Sequence, residues 1–338
     1  MRYKILGRSG LRVSELCLGT MTFGTEWPLG ADEATSRGVF DAYTEAGGNF
    51  LDTANRYTEG TSERWVGQWI AADRDHYVLA TKFSLHDRRG DPNFAGNHRK
   101  NMVRSVEASL KRLNTDYIDL LWLHAWDFTT PIDEVMRSLD DLISAGKVHH
   151  IGISDTPAWI VSQGNTIAQF RGWAQFVGLQ VEYSLIQRTP ERDLLPMAKA
   201  FGMTVTPWAP LAGGALTGKY LKPEAEGRVP AHSLRRNDRS TNIAQMVVNI
   251  AAELGVPASQ VAINWTRQRD QNVVPIVGAR RPEQIIESLG CVNFKLTEAH
   301  IQQLNEVSAI EMGFPHDFLA AEVAQDILYS GVRNAIDF

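Results

Sequence analysis

Short apolar or β-branched runs recur along the chain, and a helix-like segment separates each from the next. The runs are "VSELCLGT", "NFLDT", "HYVLATKF", "YIDLLWLH", "VHHIGIS", "FVGLQVE", "GMTVTPW" and "NVVPIVG". Amphipathic stretches lie between them. "DEATSRGVFDAYTEAG" starts on a capping Asp32 and stops at Gly47-Gly48, and "SERWVGQWIAA" starts on Ser62, read as an N-cap. "MVRSVEASLKRL", "PIDEVMRSLDDLISAG", "PERDLLPMAKAFG" and "IAQMVVNIAAELG" follow, with Pro131 at a first turn and Gly146 at a helix end. Strand and helix therefore alternate eight times, as a parallel sheet with crossover helices requires.

An open doubly wound sheet and a closed eight-stranded barrel both satisfy that alternation. No early strand–turn–helix unit carries a G-x-G-x-x-G loop, which favours the barrel. The expected architecture is thus a (β/α)8 barrel of the TIM type. A hairpin, "KILGRSGLRV", precedes it at the barrel's bottom, and a helical tail follows "TEAHIQQLNEVSAI". With neither an internal repeat nor a low-complexity linker, residues 1–338 read as one domain.

Composition narrows the function. A formal charge of -5 and a pI near 6 leave no electrostatic footprint for nucleic acid or an anionic membrane. Two cysteines, Cys17 and Cys291, are too few for a disulfide framework or a thiolate metal site. No window approaches the ~18 apolar residues that span a bilayer, and the N-terminus lacks a signal-like run. A soluble protein of the cytoplasm is the expectation.

In a barrel of this type the C-terminal strand ends face the active site, so polar residues there carry chemistry. Asp52 ends the second strand and Tyr57 follows in its loop; Lys82 ends the third strand and His124 the fourth. Singly, each has a plain reading as a turn, packing or solvated residue. Consecutive strands bring all four to one mouth. A Tyr with its ordinary pKa near ~10 is a weak acid, and an adjacent ammonium is expected to lower that value. Asp52 would hold Lys82 charged, and a neutral His124 would donate to the same oxygen that Tyr57 protonates. Such a set polarises a carbonyl and hands it a proton, which is what hydride addition to C=O needs.

These residues resemble the aldo-keto reductase superfamily, whose fold is an eight-stranded α/β barrel and whose usual cofactor is NADPH. The likeness runs from "LRVSELCLGTMTFG" through "LDTANRY", "LATKF", "YIDLLWLH" and "GISD" to "TPWAPLAGGALTGKY" and "VPIVGARRPEQIIESL". "YSLIQRTPERDLLPMAKAFGMTVTPWAPLAGG" looks most like bacterial reductases of the branch related to potassium-channel β-subunits. The resemblance implies a catalytic tetrad of Asp52, Tyr57, Lys82 and His124, with Tyr57 as the acid. It implies that Trp208 stacks on the nicotinamide, that Ser154 and Gln180 bind its carboxamide, and that Gly19, Thr20 and Met21 border its ribose. Ala209, Pro210, Leu211, Ala212 and Gly213 would line the diphosphate under Lys219. Gly278, Arg280, Gln284, Glu287 and Ser288 would surround the adenosine ribose; many members have Asn where Ser288 stands. Arg280 offers a fork of donors to a 2′-phosphate, hence NADPH, with NADH possible. Asp155 replaces the Asn commonest after this Ser, and a carboxylate cannot donate to a carboxamide oxygen, so it is not counted among the ligands.

Aromatic residues crowd the same loops: Trp27, Phe83, Trp126 and Phe128, with Phe314 and Phe318 in the tail. A pocket walled by Trp27, Trp126 and the tail, with Tyr57 and His124 at its floor, suits a bulky or aromatic carbonyl. The activity expected is NADPH-dependent reduction of an aldehyde or ketone. The alternative is a cofactor-loaded sensor or channel-subunit-like module, against which His124 speaks, since such subunits commonly carry Asn there. A metal-dependent hydrolase fits poorly, because "VHHIG" sets His149 and His150 on opposite faces of a strand.

Overall fold

The computed structural model describes residues 1–337 except 222–228, 231 and 234. It opens on β1 (Tyr3–Ile5) and β2 (Arg12–Ser14), paired antiparallel with Tyr3 opposite Ser14. Alternation then begins with β3 (Cys17–Gly19), α1 (Glu33–Glu45), β4 (Phe50–Asp52), α2 (Thr61–Ile70), β5 (Val78–Phe83) and α3 (Arg99–Leu113). It continues through β6 (Ile118–Leu123), α4 (Ile132–Ser144), β7 (Val148–Ser154), α5 (Ala158–Arg171), β8 (Phe176–Glu182), α6 (Leu194–Ala200) and β9 (Thr204–Trp208). Helices α7 (Asp238–Leu254) and α8 (Ala258–Arg267) precede the last strand, β10 (Ile276–Val277), and α9 (Pro282–Leu289) follows it. The chain finishes with α10 (Glu298–Val307), α11 (His316–Ala320) and α12 (Glu322–Tyr329).

Strands β3 to β10 are all parallel and lie in the order β10-β3-β4-β5-β6-β7-β8-β9. The two ends of that row meet just before β10. Val205 N donates to Asn272 O at 2.9 Å, and Val274 N donates to Val205 O at 2.8 Å. Those bonds make the sheet a nearly closed barrel, so the (β/α)8 expectation holds, with its N-terminal hairpin and helical C-terminus. Among the described residues, no single helix is long and apolar enough to cross a membrane.

Side chains alternate in and out along each strand, and this period of two places the chemistry. Phe50, Val78, Ala80, Leu120 and Trp122 belong to the cluster that fills the barrel. Asp52, Lys82 and His124 continue the same parity at the C-terminal ends of β4, β5 and β6. Leu51, Leu79 and Phe83 have the opposite parity and pack in the layer under the helices. Phe83 is therefore not a mouth aromatic as its sequence position suggested: it is 1% exposed, in that outer layer.

Trp122 is the largest side chain inside the barrel and dictates what its neighbours can be. A Cβ on Gly152 would lie 2.3 Å from the indole, and one on Gly178 would lie 2.7 Å from it. Both neighbours must lack a side chain for the indole to fit. Below it, the hairpin buries Leu6 and Val13 in the same interior cluster, and Gly7 N bonds Thr204 Oγ1 at 2.7 Å. The plug thus shares one core with the barrel.

Two helices escaped the periodic pattern. In α5, Trp159 and Phe170 point to solvent, which blurs the apolar face. In α8, Ser259, Asn264 and Thr266 are buried, which blurs the polar one. Asp32 caps α1 as expected, its Oδ1 accepting from Thr35 N at 2.8 Å. Ser62 is a correction. The N-cap of α2 is Gly60, and Ser62 lies within the helix with its hydroxyl bonded to Thr20 and Thr53. Left-handed backbone at Thr58, Glu59 and Gly60 starts that helix two residues earlier than the serine signal implies.

Candidate active site

The mouth of the barrel holds a buried cation with every donor used. Lys82 is 0% exposed, and its Nζ donates to Asp52 Oδ2, to Thr53 O at 3.0 Å and to Tyr57 Oη at 3.0 Å. An ammonium has three N–H groups, so the side chain is fully committed. Burial alone would lower the Lys82 pKa, but Asp52 and Tyr57 outweigh it and the net shift is upward, so the cation persists. Gln180 Nε2 donates to Asp52 Oδ1 at 3.0 Å, so both carboxylate oxygens are occupied.

Tyr57 receives a hydrogen bond from Lys82, which leaves the phenolic hydrogen for a group outside this cluster. Its pKa is raised, not lowered as the neighbouring lysine suggested. Burial of the phenol exceeds the opposing pull of the Lys82 charge, and the Asp52 charge adds to the rise. The Tyr57 phenol is thus held neutral. The His124 ring stands edge-on to the Tyr57 ring, with centroids 5.9 Å apart. Burial, with the Lys82 charge beside it, lowers the His124 pKa to about 3, so the imidazole is neutral at physiological pH. Its Nδ1 has no hydrogen-bond partner among the described residues.

The remaining inward strand ends ring these four. Ser154 and Gln180 lie opposite each other on β7 and β8, and Trp208 ends β9 opposite Glu182. Trp208 Nε1 donates to Asp155 Oδ1 at 3.2 Å, so the carboxylate that replaces Asn has an indole as partner. Gly19 ends β3 opposite Asp52, and Thr20 N donates to Asp52 O at 3.0 Å, which sets Gly19 and Thr20 beside Asp52. After β9 the backbone turns left-handed at Ala209, Ala212, Gly213 and Gly214, and space around the Gly214 Cβ position is open. Within this curl Ala212 N donates to Ala209 O at 2.8 Å and Gly214 N to Leu211 O at 2.9 Å. Pro210 and Ala212 are buried beneath the curl, with Leu211 between them part-buried and Lys219 exposed beyond them. Arg235, which carries no signal in the sequence, ion-pairs with Glu182, and a Cβ on Gly213 would lie 3.4 Å from its Nη1.

At the last strand, Gly278 and Arg280 are exposed, and Arg280 N donates to Gln284 Oε1 at 3.0 Å. Glu287 takes the Ser259 hydroxyl at 2.5 Å, and Ser288 is buried. Trp27 stands edge-on to Tyr57, with centroids 6.3 Å apart, and Trp126 is part-buried. Phe314 and Phe318 pack on each other and are largely exposed. His149 and His150 fall on opposite faces of β7, and His149 stacks on Tyr117. No group of three His, Cys, Asp or Glu among the described residues is placed to hold a metal ion.

Residues 15–309 match the model of the aldo/keto reductase family. The chain is 39% identical over 328 residues to a norsolorinic acid reductase of Aspergillus flavus, covering 94% of this chain and 84% of that one. It is 37% identical over 328 residues to an aryl-alcohol dehydrogenase of Pestalotiopsis microspora, covering 94% and 85%. An aldo-keto reductase of Aspergillus calidoustus shares 35% identity over 340 residues, covering 96% and 86%.

Proposed function

The chain belongs to the aldo/keto reductase family and is an oxidoreductase of carbonyl and alcohol groups, and from that premise we propose that it reduces an aryl aldehyde or ketone with NADPH, Tyr57 serving as general acid. The observation that carries this reading is the Tyr57 phenol, neutral and hydrogen-bonded by a buried, permanently charged Lys82.

A nicotinamide held by the residues of the mouth would supply the hydride. Trp208 would stack on it, Ser154 and Gln180 would meet its carboxamide, and the left-handed curl from Ala209 to Gly214 would hold the diphosphate. Arg280, exposed and without an ion-pair partner among the described residues, is the natural ligand of a 2′-phosphate.

The protein's own part is proton delivery. The carbonyl oxygen sits between Tyr57 Oη and the neutral His124 ring, and takes the phenolic proton as the carbon takes hydride. The phenolate left behind lies 3.0 Å from the Lys82 ammonium, which stabilises it until solvent returns a proton. A neutral His124 donates to the same oxygen without competing as an acid. Trp27 and Trp126 offer flat apolar surfaces at the rim. The name of one relative, an aryl-alcohol dehydrogenase, supports an aromatic substrate.

Fluorescence titration with NADPH and NADH tests the cofactor assignment. Quenching of tryptophan emission by NADPH at micromolar concentration, with NADH at least tenfold weaker, is expected. Equal affinity for both would remove the 2′-phosphate role from Arg280.

A further inference from the structure

Immediately after Tyr57 the chain takes an unusual path. Thr58 has φ 44° and ψ 48°, Glu59 has φ 53° and ψ 35°, and Gly60 follows at φ 83°. Two successive non-glycine residues in the left-handed region, one of them β-branched, are held there against their own preference. Something outside the segment has to fix them.

That support is the loop between β3 and α1. Thr58 Oγ1 donates to Phe23 O at 2.5 Å and accepts from Ser62 N at 3.2 Å. Glu59 Oε1 accepts from Trp27 Nε1 at 3.3 Å, Thr61 bonds Glu26, and Ser62 Oγ meets Thr20 Oγ1 at 2.7 Å. Residues 58, 59, 61 and 62 are thus stitched in turn to residues 23, 27, 26 and 20. Thr58 is 0% exposed, as are Ser62, Thr20 and Phe23 in the same seam. Thr58 seats against Gly24, where a Cβ would lie 2.5 Å from the Thr58 Cβ. The seam joins the residue proposed as acid to the loop that carries Trp27.

We propose that Thr58 is a positioning residue for carbonyl reduction: its hydroxyl, shared between Phe23 O and Ser62 N, locks the left-handed turn that sets where the Tyr57 phenol stands. The inference rests on Tyr57 being the acid. Thr58 touches no reacting atom and acts through the backbone it fixes. Losing the lock moves the phenol relative to the carbonyl oxygen, and a misplacement of ~1 Å is enough to cost rate.

Thr58→Val keeps the branched shape and removes the hydroxyl, whereas Thr58→Ser keeps the hydroxyl. With NADPH and an aryl aldehyde, Val is expected to lower kcat about tenfold, with KM and the NADPH Kd changed less than twofold. Ser is expected to stay within twofold of the unmodified protein. Wild-type kcat in a folded Val variant, or equal loss in Val and Ser, would overturn the inference. Should Val fail to fold, Thr58→Ala is compared with Ser by the same criterion. Hydrogen exchange needs no turnover and separates this inference from the proposed function. Amides of residues 57–62 and 20–27 should exchange at least fivefold faster in Val than in Ser, and equal rates would refute the lock. Absence of turnover in the unmodified protein would instead count against the reductase reading.

Discussion

Gln180 donates its side-chain amide to Oδ1 of Asp52 at 3.0 Å, across 128 positions of sequence. With Nε2 used in this way, Oε1 is the atom left to face the mouth. Asp52 is thereby held from two sides, by an amide and an ammonium. Gln180→Glu exchanges the donor for a second carboxylate against Asp52. A hydrogen bond to a charged group contributes about 1.5–3 kcal/mol, so kcat is expected to fall about 10- to 100-fold. Steady-state assays of the folded variant check this; an unchanged kcat would mean that Asp52 needs no second partner.

Lys82 and Asp52 form an ion pair with both side chains buried. Removing one member leaves the other charged and unpaired in the barrel. Lys82→Met is expected to cost about 3–5 kcal/mol of stability, and adding Asp52→Asn to recover much of it. Urea unfolding of the single and double variants measures both values. Additive losses would show that the pair is not coupled.

The pH profile of reduction follows from two shifts. His124 has its pKa lowered to about 3, so it stays neutral as pH falls through its ordinary range, and kcat should show no loss near pH 6.5. Tyr57 must be protonated to act as acid. Its pKa is raised, so the acid form persists above pH ~10 and the falling limb lies beyond that value. Oxidation of the alcohol needs the phenolate and should rise with pH over the same range. A falling limb in the reduction profile near pH 7 would contradict both assignments.

Arg280 is the residue proposed to separate the two nicotinamide cofactors. Arg280→Gln removes a charged fork from a 2′-phosphate and leaves the rest of the loop in place, because it is the backbone N–H of residue 280 that binds Gln284. Affinity for NADPH is expected to drop about tenfold or more, and affinity for NADH to change less than twofold. Isothermal titration of the variant with each nucleotide reads this directly.

The barrel and the inward strand ends were legible because period two is a local property: Asp52, Lys82 and His124 take their places from parity along their own strands. The hairpin plug was legible for the same reason. What escaped the sequence is set by contacts across it. The rise in the Tyr57 pKa depends on how deeply the phenol is buried, and adjacency to a lysine gives only the opposing effect. Ser62 carries the residue type of an N-cap, but left-handed backbone at residues 58–60 starts the helix ahead of it. Phe83 neighbours Lys82 and faces the other way. The Gln180–Asp52 bond and the Thr58–Phe23 bond have no local signature.

The central claim is that Tyr57 gives the proton in an NADPH-dependent reduction. Consumption of NADPH with an aryl aldehyde, followed at its absorbance for the unmodified protein and for Tyr57→Phe, tests it most directly. The expected result is turnover that falls by about 10²–10⁴ in Phe, with NADPH affinity unchanged. Turnover in Phe equal to that of the unmodified protein would contradict the claim, and tight NADPH binding with no turnover in either protein would favour a sensor.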